Sequence, residues 1–245
     1  MELSEVDLAE SDQSLRTQHG EDGKSDGSAM TRRRTERELR IEVVKSVLSL
    51  FQKGLIGGTG GNVSARLPDQ NEVLMTPSGF YKARLTQSDL VKIDVKGNLL
   101  EGSSRPSVEW RFHTAIYRSR SDVNAVIHSH SPVATGLALA GVKVGPVTYE
   151  AAVVLGKVPI LPFLPPGTDE LAEAVANKIG RNPVVILKNH GPVAVGRSLL
   201  EAMSRIEVLE ECATMIFVAS HFGRARALSQ SEINLARRKM QSIGV

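Results

Sequence analysis

The sequence predicts an α/β fold built as a single domain. Stretches with the apolar spacing of amphipathic helices alternate along the chain with short apolar runs typical of buried strands. With 245 residues and 41% hydrophobic content, the chain is long enough to bury one substantial core. We therefore expect one domain that extends from residue 31 to residue 245.

Residues 1–30 differ in composition from the rest of the chain. They carry eight acidic and two basic side chains among Ser, Gly and Gln residues. Such a segment buries too little apolar surface to offset the entropy that is lost on ordering. We interpret residues 1–30 as a disordered tail that precedes the domain.

The first element of the domain is predicted to be a helix. It begins near Thr31, runs through Phe51 and ends at Gly54, since apolar residues recur at helical spacing and glycine is common just after a helix. Short strands and turns are expected between Gly57 and Asn98.

After residue 107, predicted helices and strands alternate. Ser107 indicates the start of a helix, because its hydroxyl is suited to accept a free backbone N–H. Ser198 and Glu201 have the spacing of a capping box at the start of a later helix. The expected helices cover residues 108–118, 168–179 and 199–220, and the expected strands 123–130, 158–161, 184–188 and 193–195.

Two histidines end the apolar run at 123–130. Alternate residues of a strand point to the same face, so His128 and His130 are expected side by side on the face opposite Val123 and Ile127. Without a third partner, the two rings would be interpreted as half-buried strand residues satisfied by backbone groups. With a third imidazole, they form a metal site.

A catalytic zinc generally has three protein ligands and an open position for water or substrate. Among the other four histidines, His190 is the best placed, because it lies where a second apolar run breaks into the turn Gly191-Pro192. His19, His113 and His221 are expected to be packed or solvated. The sequence therefore predicts a site formed by His128, His130 and His190.

Two loops have the composition of an anion site. Residues 57–64, GGTGGNVS, combine four glycines with neutral side-chain donors, and Thr76–Gly79 forms a second small turn of the same chemistry. Ser107, at a helix N-terminus, completes a possible cradle. No Lys-Ser or Lys-Thr follows the glycines, which excludes a P-loop. The alternative is that both loops are only tight turns.

Glu109 is the carboxylate that the sequence singles out. It occupies the first turn of the helix after Ser107, where a negative charge interacts favourably with the helix dipole. One interpretation is a charge at a helix start and nothing more. If that helix end faces the metal, Glu109 is instead placed to act as a general acid and base.

Charge, cysteine content and hydropathy disfavour several classes of protein. The net charge of +3 is spread along the chain and only 4% of residues are aromatic, which does not indicate a nucleic-acid partner. The single cysteine, Cys212, fits a reducing compartment. No apolar stretch approaches the roughly 18 residues of a membrane span, and no signal-peptide pattern opens the chain. We expect a cytoplasmic protein that binds neither nucleic acid nor membrane.

The chain resembles the class II aldolase/adducin N-terminal family, and within it the fuculose-phosphate aldolases. The resemblance covers residues 36–220 and lies in five segments that follow the order of the family. They are Gly57–Ser64 (GGTGGNVS), Thr76–Gly79 (TPSG), Pro106–His113 (PSVEWRFH), Asp122–Pro132 (DVNAVIHSHSP) and Asn189–Gly191 (NHG).

This resemblance implies a three-layer α/β/α sandwich around a largely antiparallel central sheet. It also implies a homotetramer with active sites between subunits and one zinc ion per subunit. His128, His130 and His190 correspond to the zinc ligands. Glu109 corresponds to the catalytic acid and base that also approaches the metal when substrate is absent, and Tyr149 to a tyrosine that helps to protonate the second product.

The resemblance further implies a substrate phosphate site. Its members are Thr59, Asn62, Ser78, Gly79 and Ser107. The chain departs from the family pattern at Val108, where related proteins often have a second serine, so one hydroxyl donor is missing from the predicted cradle.

The implied activity is zinc-dependent retro-aldol cleavage of a ketose 1-phosphate, such as L-fuculose 1-phosphate, to dihydroxyacetone phosphate and an aldehyde. Alternatives on the same scaffold are a methylthioribulose-1-phosphate dehydratase, a pentulose-phosphate 4-epimerase and an oxo-acid phosphate decarboxylase. Glu109 favours the aldolase over the epimerases, which tend to have aspartate there. An adducin-like interaction domain without catalysis is a further alternative, although such domains tend to lack the metal histidines.

Overall fold

The computed structural model describes residues 34–68, 71–223 and 225–242. The tail predicted at residues 1–30 and the domain boundary predicted at residue 31 lie outside the described residues, so both stay predictions. The single domain that the sequence predicts also stays a prediction.

An eight-stranded sheet forms the middle of the described structure. Its strand order is β4-β3-β2-β1-β5-β8-β7-β6, and every neighbouring pair is antiparallel except the pair β6 and β7. The prediction of a largely antiparallel sheet is therefore confirmed. The strands are β1 (Asn62–Arg66), β2 (Glu72–Met75), β3 (Val91–Asp94), β4 (Leu99–Glu101), β5 (Ala125–His128), β6 (Ile160–Leu161), β7 (Val184–Leu187) and β8 (Gly191–Gly196).

Helices cover both faces of this sheet and complete the three layers. Helices α1, α3, α4 and α6 share one hydrophobic core with the sheet, and α2 and α5 share a second core on the other face. No helix among the described residues is both long and apolar enough to cross a membrane. The helices are α1 (Glu36–Gln52), α2 (Trp110–Ser119), α3 (Pro132–Leu139), α4 (Tyr149–Val154), α5 (Asp169–Ile179), α6 (Leu199–Ser220) and α7 (Gln230–Ser242).

The two cores follow from the alternation of side chains along the central strands. In β5, Ala125 and Ile127 belong to the first core, whereas Val126 belongs to the second. All four residues of β5 are buried, because helices cover both of its faces. His128 therefore lies on the face of Val126, opposite Ile127 as predicted, and this face is buried as well.

Local hydrogen bonds move several helix ends from their predicted positions. Helix α1 begins at Glu36 rather than near Thr31, since Thr35 and Glu38 form a capping box there. Helix α6 has its predicted bounds, and the Ser198 hydroxyl accepts the Glu201 N–H. The carboxylate of Glu201, however, accepts the N–H of Arg197, so the capping box predicted there is only half formed.

The strand that carries the histidine pair is shorter than predicted. It ends at His128, after which the backbone N–H of Ser129 donates to the Pro192 carbonyl and that of His130 donates to the Leu55 carbonyl. His130 therefore follows the strand instead of belonging to it, and its position depends on the loop before β1.

Candidate active site

The three predicted metal histidines converge where β5 and β8 lie side by side. His128 is the last residue of β5, His130 follows two residues later, and His190 immediately precedes β8. Their candidate ligand nitrogens all lie within 4.8 Å of one another, and Nε2 of His128 is 3.3 Å from Nε2 of His190. Two nitrogens on one tetrahedral zinc, each bonded at about 2.0–2.1 Å, are separated by about 3.3 Å. The spacing of His128 and His190 fits two ligands of one cation, and His130 lies within reach of the same point.

Glu109 faces the same point. Its Oε2 lies 3.4 Å from Nε2 of His128, and its Oε1 lies 3.5 Å from Nε2 of His190. Oε1 is buried without a hydrogen-bond partner among the described residues, although buried carboxylate oxygens normally have one. A carboxylate oxygen without a partner beside three imidazoles fits a divalent cation, and the donor set of nitrogen and oxygen atoms suits zinc.

Burial keeps these imidazoles in the neutral form that binds a metal. Removal from water lowers the pKa of His128 to about 3, with a further reduction from His130. It lowers the pKa of His190 to about 4, assisted by His128, and lowers the pKa of His130 as well. Nδ1 of His128 lies 3.0 Å from the Pro192 carbonyl, to which it donates when neutral, so Nε2 has a free lone pair for the metal.

Special backbone positions hold two of the three histidines. A Cβ on Gly60 would lie 2.7 Å from the ring of His130, so only glycine lets the first loop approach this imidazole. Asn189 has φ 65° and is the one residue other than glycine with a positive φ among the described residues. Asparagine tolerates this left-handed conformation, which turns the chain just before His190.

The predicted phosphate residues lie together around one cavity. This cavity has a volume of about 280 Å³, and its wall includes Glu109, His130 and His190. The structure brings the two predicted loops to the histidines, although the phosphate role of the loops stays a prediction. The predicted phosphate residues in the wall are Thr59, Asn62, Ser78, Gly79 and Ser107.

Ser107 also organises the start of α2. Its hydroxyl accepts the N–H of Glu109 at 3.3 Å, and its carbonyl accepts the N–H of Trp110 at 3.0 Å. Glu109 is therefore the last residue before the helix, and its side chain points to the metal histidines. The prediction that Ser107 caps a helix beginning at Val108 is wrong, because α2 begins at Trp110 and Glu109 occupies the N-cap position without a side-chain cap.

A buried polar chain reaches Glu109 from inside the fold. Nδ2 of Asn62 donates to Oε2 of Glu109 at 2.8 Å, and Oδ1 of Asn62 lies 2.5 Å from Nε2 of His113. Ser64 Oγ lies 2.7 Å from Nδ1 of His113 and 2.8 Å from the hydroxyl of Tyr117. We call the series Tyr117–Ser64–His113–Asn62 the buried polar chain.

The hydrogen bonds of the buried polar chain all run in one direction from donor to acceptor. Burial lowers the pKa of His113 well below its ordinary value, so the ring is neutral and has one N–H. Because Oδ1 of Asn62 can only accept, that N–H is on Nε2, and Nδ1 accepts from Ser64. Every donor then points toward Glu109. His113, expected to be merely packed or solvated, is thus buried and linked to the site through Asn62.

The spacing of residues in the sequence contains a signal for the buried polar chain, although the sequence analysis does not identify it. Asn62 and Ser64 are two apart on β1, and His113 and Tyr117 are four apart on α2, so each pair lies on one face of its element. Lys82 was missed as well, although it lines the cavity and is buried.

Tyr149 is the one predicted site residue that the described part of the chain places away from both the cavity and the histidine cluster. It is the first residue of α4 and is 49% exposed. Its hydroxyl donates to the carbonyl of Ala236 on α7 at 3.2 Å. Within one chain, Tyr149 therefore has no contact with the metal histidines, and its catalytic role stays a prediction.

Comparison with known proteins identifies the family of the chain. The model of the family described as Class II Aldolase and Adducin N-terminal domain matches residues 41–217. A 3-oxo-tetronate 4-phosphate decarboxylase of Escherichia coli O6:H1 is 38% identical over 190 residues, which are 76% of this chain and 89% of that protein. An L-fuculose phosphate aldolase of Methanococcus maripaludis is 36% identical over 180 residues, which are 74% of this chain and 97% of that protein.

A solved structure gives the same result for the fold. The structure of an L-fuculose 1-phosphate aldolase superposes with a TM-score of 0.79 at 33% identity, over 85% of this chain and 98% of that one. The fold predicted from the resemblance, a three-layer α/β/α sandwich, is confirmed. The chain belongs to the class II aldolase/adducin N-terminal family.

Proposed function

We propose that the protein is a zinc-dependent lyase that cleaves a ketose 1-phosphate, such as L-fuculose 1-phosphate, by a retro-aldol reaction. The products are dihydroxyacetone phosphate and an aldehyde. The observation that carries the proposal is the convergence of three imidazoles and Glu109 beside a cavity with neutral hydrogen-bond donors.

His128, His130 and His190 would hold the metal, and Glu109 would approach it when substrate is absent. A bound zinc ion would supply Lewis-acid polarisation of the carbonyl and neighbouring hydroxyl oxygens of the substrate. The phosphate would lie among Thr59, Ser78, Gly79 and Ser107 and the second amide hydrogen of Asn62. These groups are suited to it because hydroxyl, amide and backbone N–H groups donate to phosphate oxygens.

The proton transfers are assigned to two side chains of the protein. In the cleavage direction, the hydroxyl on C4 loses its proton, the bond between C3 and C4 breaks, and the electron pair stays with the three-carbon fragment. Glu109 then gives a proton to C3, which completes dihydroxyacetone phosphate. Tyr149 would handle the proton at the oxygen that becomes the aldehyde. The reaction needs no Schiff base with a lysine.

A second candidate function is decarboxylation of an oxo-acid phosphate, which the 38% identity to the Escherichia coli decarboxylase favours. Loss of CO2 from 3-oxo-tetronate 4-phosphate leaves the same three-carbon fragment, and protonation by Glu109 again gives dihydroxyacetone phosphate. The two reactions differ in the departing group. Formation of the aldehyde requires removal of a hydroxyl proton, whereas release of CO2 from a carboxylate does not. Only the aldolase reaction therefore needs the proton transfer assigned to Tyr149.

An assay of products distinguishes the two candidates. Zinc-loaded protein is incubated with L-fuculose 1-phosphate or with 3-oxo-tetronate 4-phosphate, and dihydroxyacetone phosphate, aldehyde and CO2 are measured. We expect equal amounts of dihydroxyacetone phosphate and aldehyde from the ketose phosphate, and no reaction after removal of the metal. Release of dihydroxyacetone phosphate with CO2 from the oxo acid alone would replace the aldolase proposal with the decarboxylase.

We also propose that the protein is a cytoplasmic homotetramer with active sites between subunits. Tyr149 supports an intersubunit site, because it is exposed and lies away from the histidines of its own chain. Near the end of α6, four large apolar side chains are exposed, as expected of a surface that another subunit covers. They are Met215, Phe217, Val218 and Phe222.

The single buried cysteine, Cys212, supports a reducing compartment.

A further inference from the structure

Lys82 is a buried cation between the two loops of the cavity. It is only 1% exposed and begins a short 3-10 turn, Lys82–Arg84, that follows the loop Thr76–Gly79. Its backbone N–H donates to the carbonyl of Gly58 at 2.9 Å, which joins it to the glycine-rich loop. The two loops and the lysine therefore form one unit.

The ammonium group of Lys82 is poorly satisfied. It donates one hydrogen bond, to the Phe80 carbonyl at 3.3 Å, although an ammonium has three hydrogens to donate. Burial lowers the pKa of Lys82, and no carboxylate among the described residues raises it again. A buried charge without a partner is strongly unfavourable, so buried lysines are normally paired with an anion. The missing partner of Lys82 is an anion that the chain itself does not supply.

The position of Lys82 indicates where this anion binds. Lys82 lines the same cavity as Ser78, Gly79 and Ser107, together with His130. Hydroxyl and amide donors around the cavity offer hydrogen bonds but no positive charge to balance a dianion.

We propose that Lys82 binds the phosphate group of the substrate as its cationic ligand and makes the site selective for phosphorylated substrates. A lysine at this position also supplies donors that Val108 does not, since valine has no hydroxyl. The inference rests on the proposed function, and it holds for both candidate reactions because both substrates carry a phosphate.

Binding measurements on zinc-loaded protein test the role of Lys82. The variant Lys82→Met removes the charge and keeps a similar length, and Lys45→Met removes an exposed charge on α1 as the matched control. The probes, followed by calorimetry, are inorganic phosphate, dihydroxyacetone phosphate and uncharged dihydroxyacetone. We expect Lys82→Met to weaken binding of both phosphates by roughly 10- to 100-fold, with dihydroxyacetone binding unchanged. Lys45→Met should bind all three like the unmodified chain.

Different failures of this experiment have different meanings. Unchanged phosphate binding by Lys82→Met, or equal weakening for dihydroxyacetone and its phosphate, would overturn the inference and leave the proposed function intact. Failure of the unmodified protein to bind or release dihydroxyacetone phosphate would overturn the proposed function itself. Lys82→Gln is the second variant, used if Lys82→Met does not fold with a full content of zinc.

A covalent role for Lys82 is tested separately. The unmodified protein is treated with dihydroxyacetone phosphate and borohydride, which reduces a Schiff base to a stable amine, and its mass is then measured. We expect no increase in mass, since Lys82 binds phosphate and does not attack the carbonyl. A trapped adduct on Lys82 would overturn the inference.

Discussion

At the scale of single residues, Glu109 has contacts on two sides. One carboxylate oxygen accepts a hydrogen bond from Asn62, whereas the other has no hydrogen-bond partner among the described residues and faces the histidines. The buried polar chain orients the side chain, because its donors all point toward the carboxylate. Glu109 is therefore held in one orientation before any substrate arrives, which is what a proton donor to a specific carbon requires.

Replacing Glu109 with glutamine separates metal binding from proton transfer. Glutamine keeps the shape and can still accept from Asn62, but it does not give or take the proton. We expect Glu109→Gln to retain zinc and to lose roughly 100- to 10,000-fold in kcat. Metal analysis and steady-state kinetics measure the two effects, with Glu173→Gln, an exposed position of α5, as the control. Unchanged turnover would refute the assigned role.

Lys82 predicts a pH dependence of stability. Burial lowers its pKa from 10.5 to about 8. The buried positive charge therefore reduces the free energy of unfolding at neutral pH by about 3 kcal/mol. Below pH 8 the lysine is protonated in both the folded and the unfolded state, so the full reduction in the free energy of unfolding applies. Between pH 8 and pH 10.5 the folded protein releases the proton before the unfolded chain does, so the stability that depends on this group rises with pH.

Comparison with Lys82→Met isolates this effect. Without phosphate, we expect Lys82→Met to be more stable than the unmodified chain at pH 7, and the difference to fall by about 3 kcal/mol as pH approaches 10.5. Urea denaturation of both proteins across this range measures the difference. A difference that does not change with pH would contradict a buried charged lysine.

At the scale of elements, the loop before β1 positions His130, one of the proposed metal ligands. Gly60 packs against the ring of His130, and the backbone N–H of His130 donates to Leu55, just before the loop. The sequence predicts that the glycines of this loop leave space for an anion. The structure adds a second reason for one of them, which is close contact with an imidazole.

Two alanine substitutions in this loop should differ in effect. A Cβ on Gly60 would lie 2.7 Å from the His130 ring, whereas a Cβ on Gly57 would meet nothing within 4 Å. We expect Gly60→Ala to displace His130 and weaken zinc binding by roughly 10-fold or more, and Gly57→Ala to leave it unchanged. Competition with a chromogenic chelator measures the affinities. Equal affinities for the two variants would show that Gly60 does not set the position of His130.

The sequence predicts much of the site but only part of its support. His128, His130 and His190 could be identified because they follow apolar runs, and α2 could be identified from the helical pattern that follows Ser107. The exact end of β5 could not be identified from the sequence, since it depends on hydrogen bonds from the backbone N–H groups of Ser129 and His130 to distant carbonyls. The burial of Lys82 is equally inaccessible to local pattern, because a lysine after a turn is ordinarily solvated.

At the scale of the whole molecule, the proposed site is incomplete within one chain. The histidines, Glu109 and the anion loops surround one cavity, but Tyr149 lies elsewhere, bonded to α7. An assembly in which Tyr149 reaches the cavity of a neighbouring subunit would account for both facts. The exposed apolar end of α6 provides surface for such an assembly.

Mixed oligomers test whether active sites are shared between subunits. Tyr149→Phe and Glu109→Gln are each expected to have little aldolase activity alone. After the two are unfolded, mixed in equal amounts and refolded, about one quarter of intersubunit sites would combine an intact Glu109 with an intact Tyr149. We expect activity to return to about that fraction, measured as dihydroxyacetone phosphate release. Absence of any recovery, with mixed oligomers confirmed by mass, would contradict a shared site.

The His128–His190 pair has a consequence for the life of the protein in a cell. These residues are 62 positions apart in the chain and meet only after β5 and β8 have paired. An unfolded chain therefore offers a cation no comparable set of ligands. Binding of the proposed metal would stabilise the native state by mass action, by about 3 kcal/mol when free metal is 100 times the Kd. Metal starvation would then lower not only the activity of each molecule but also the number of molecules that escape proteolysis.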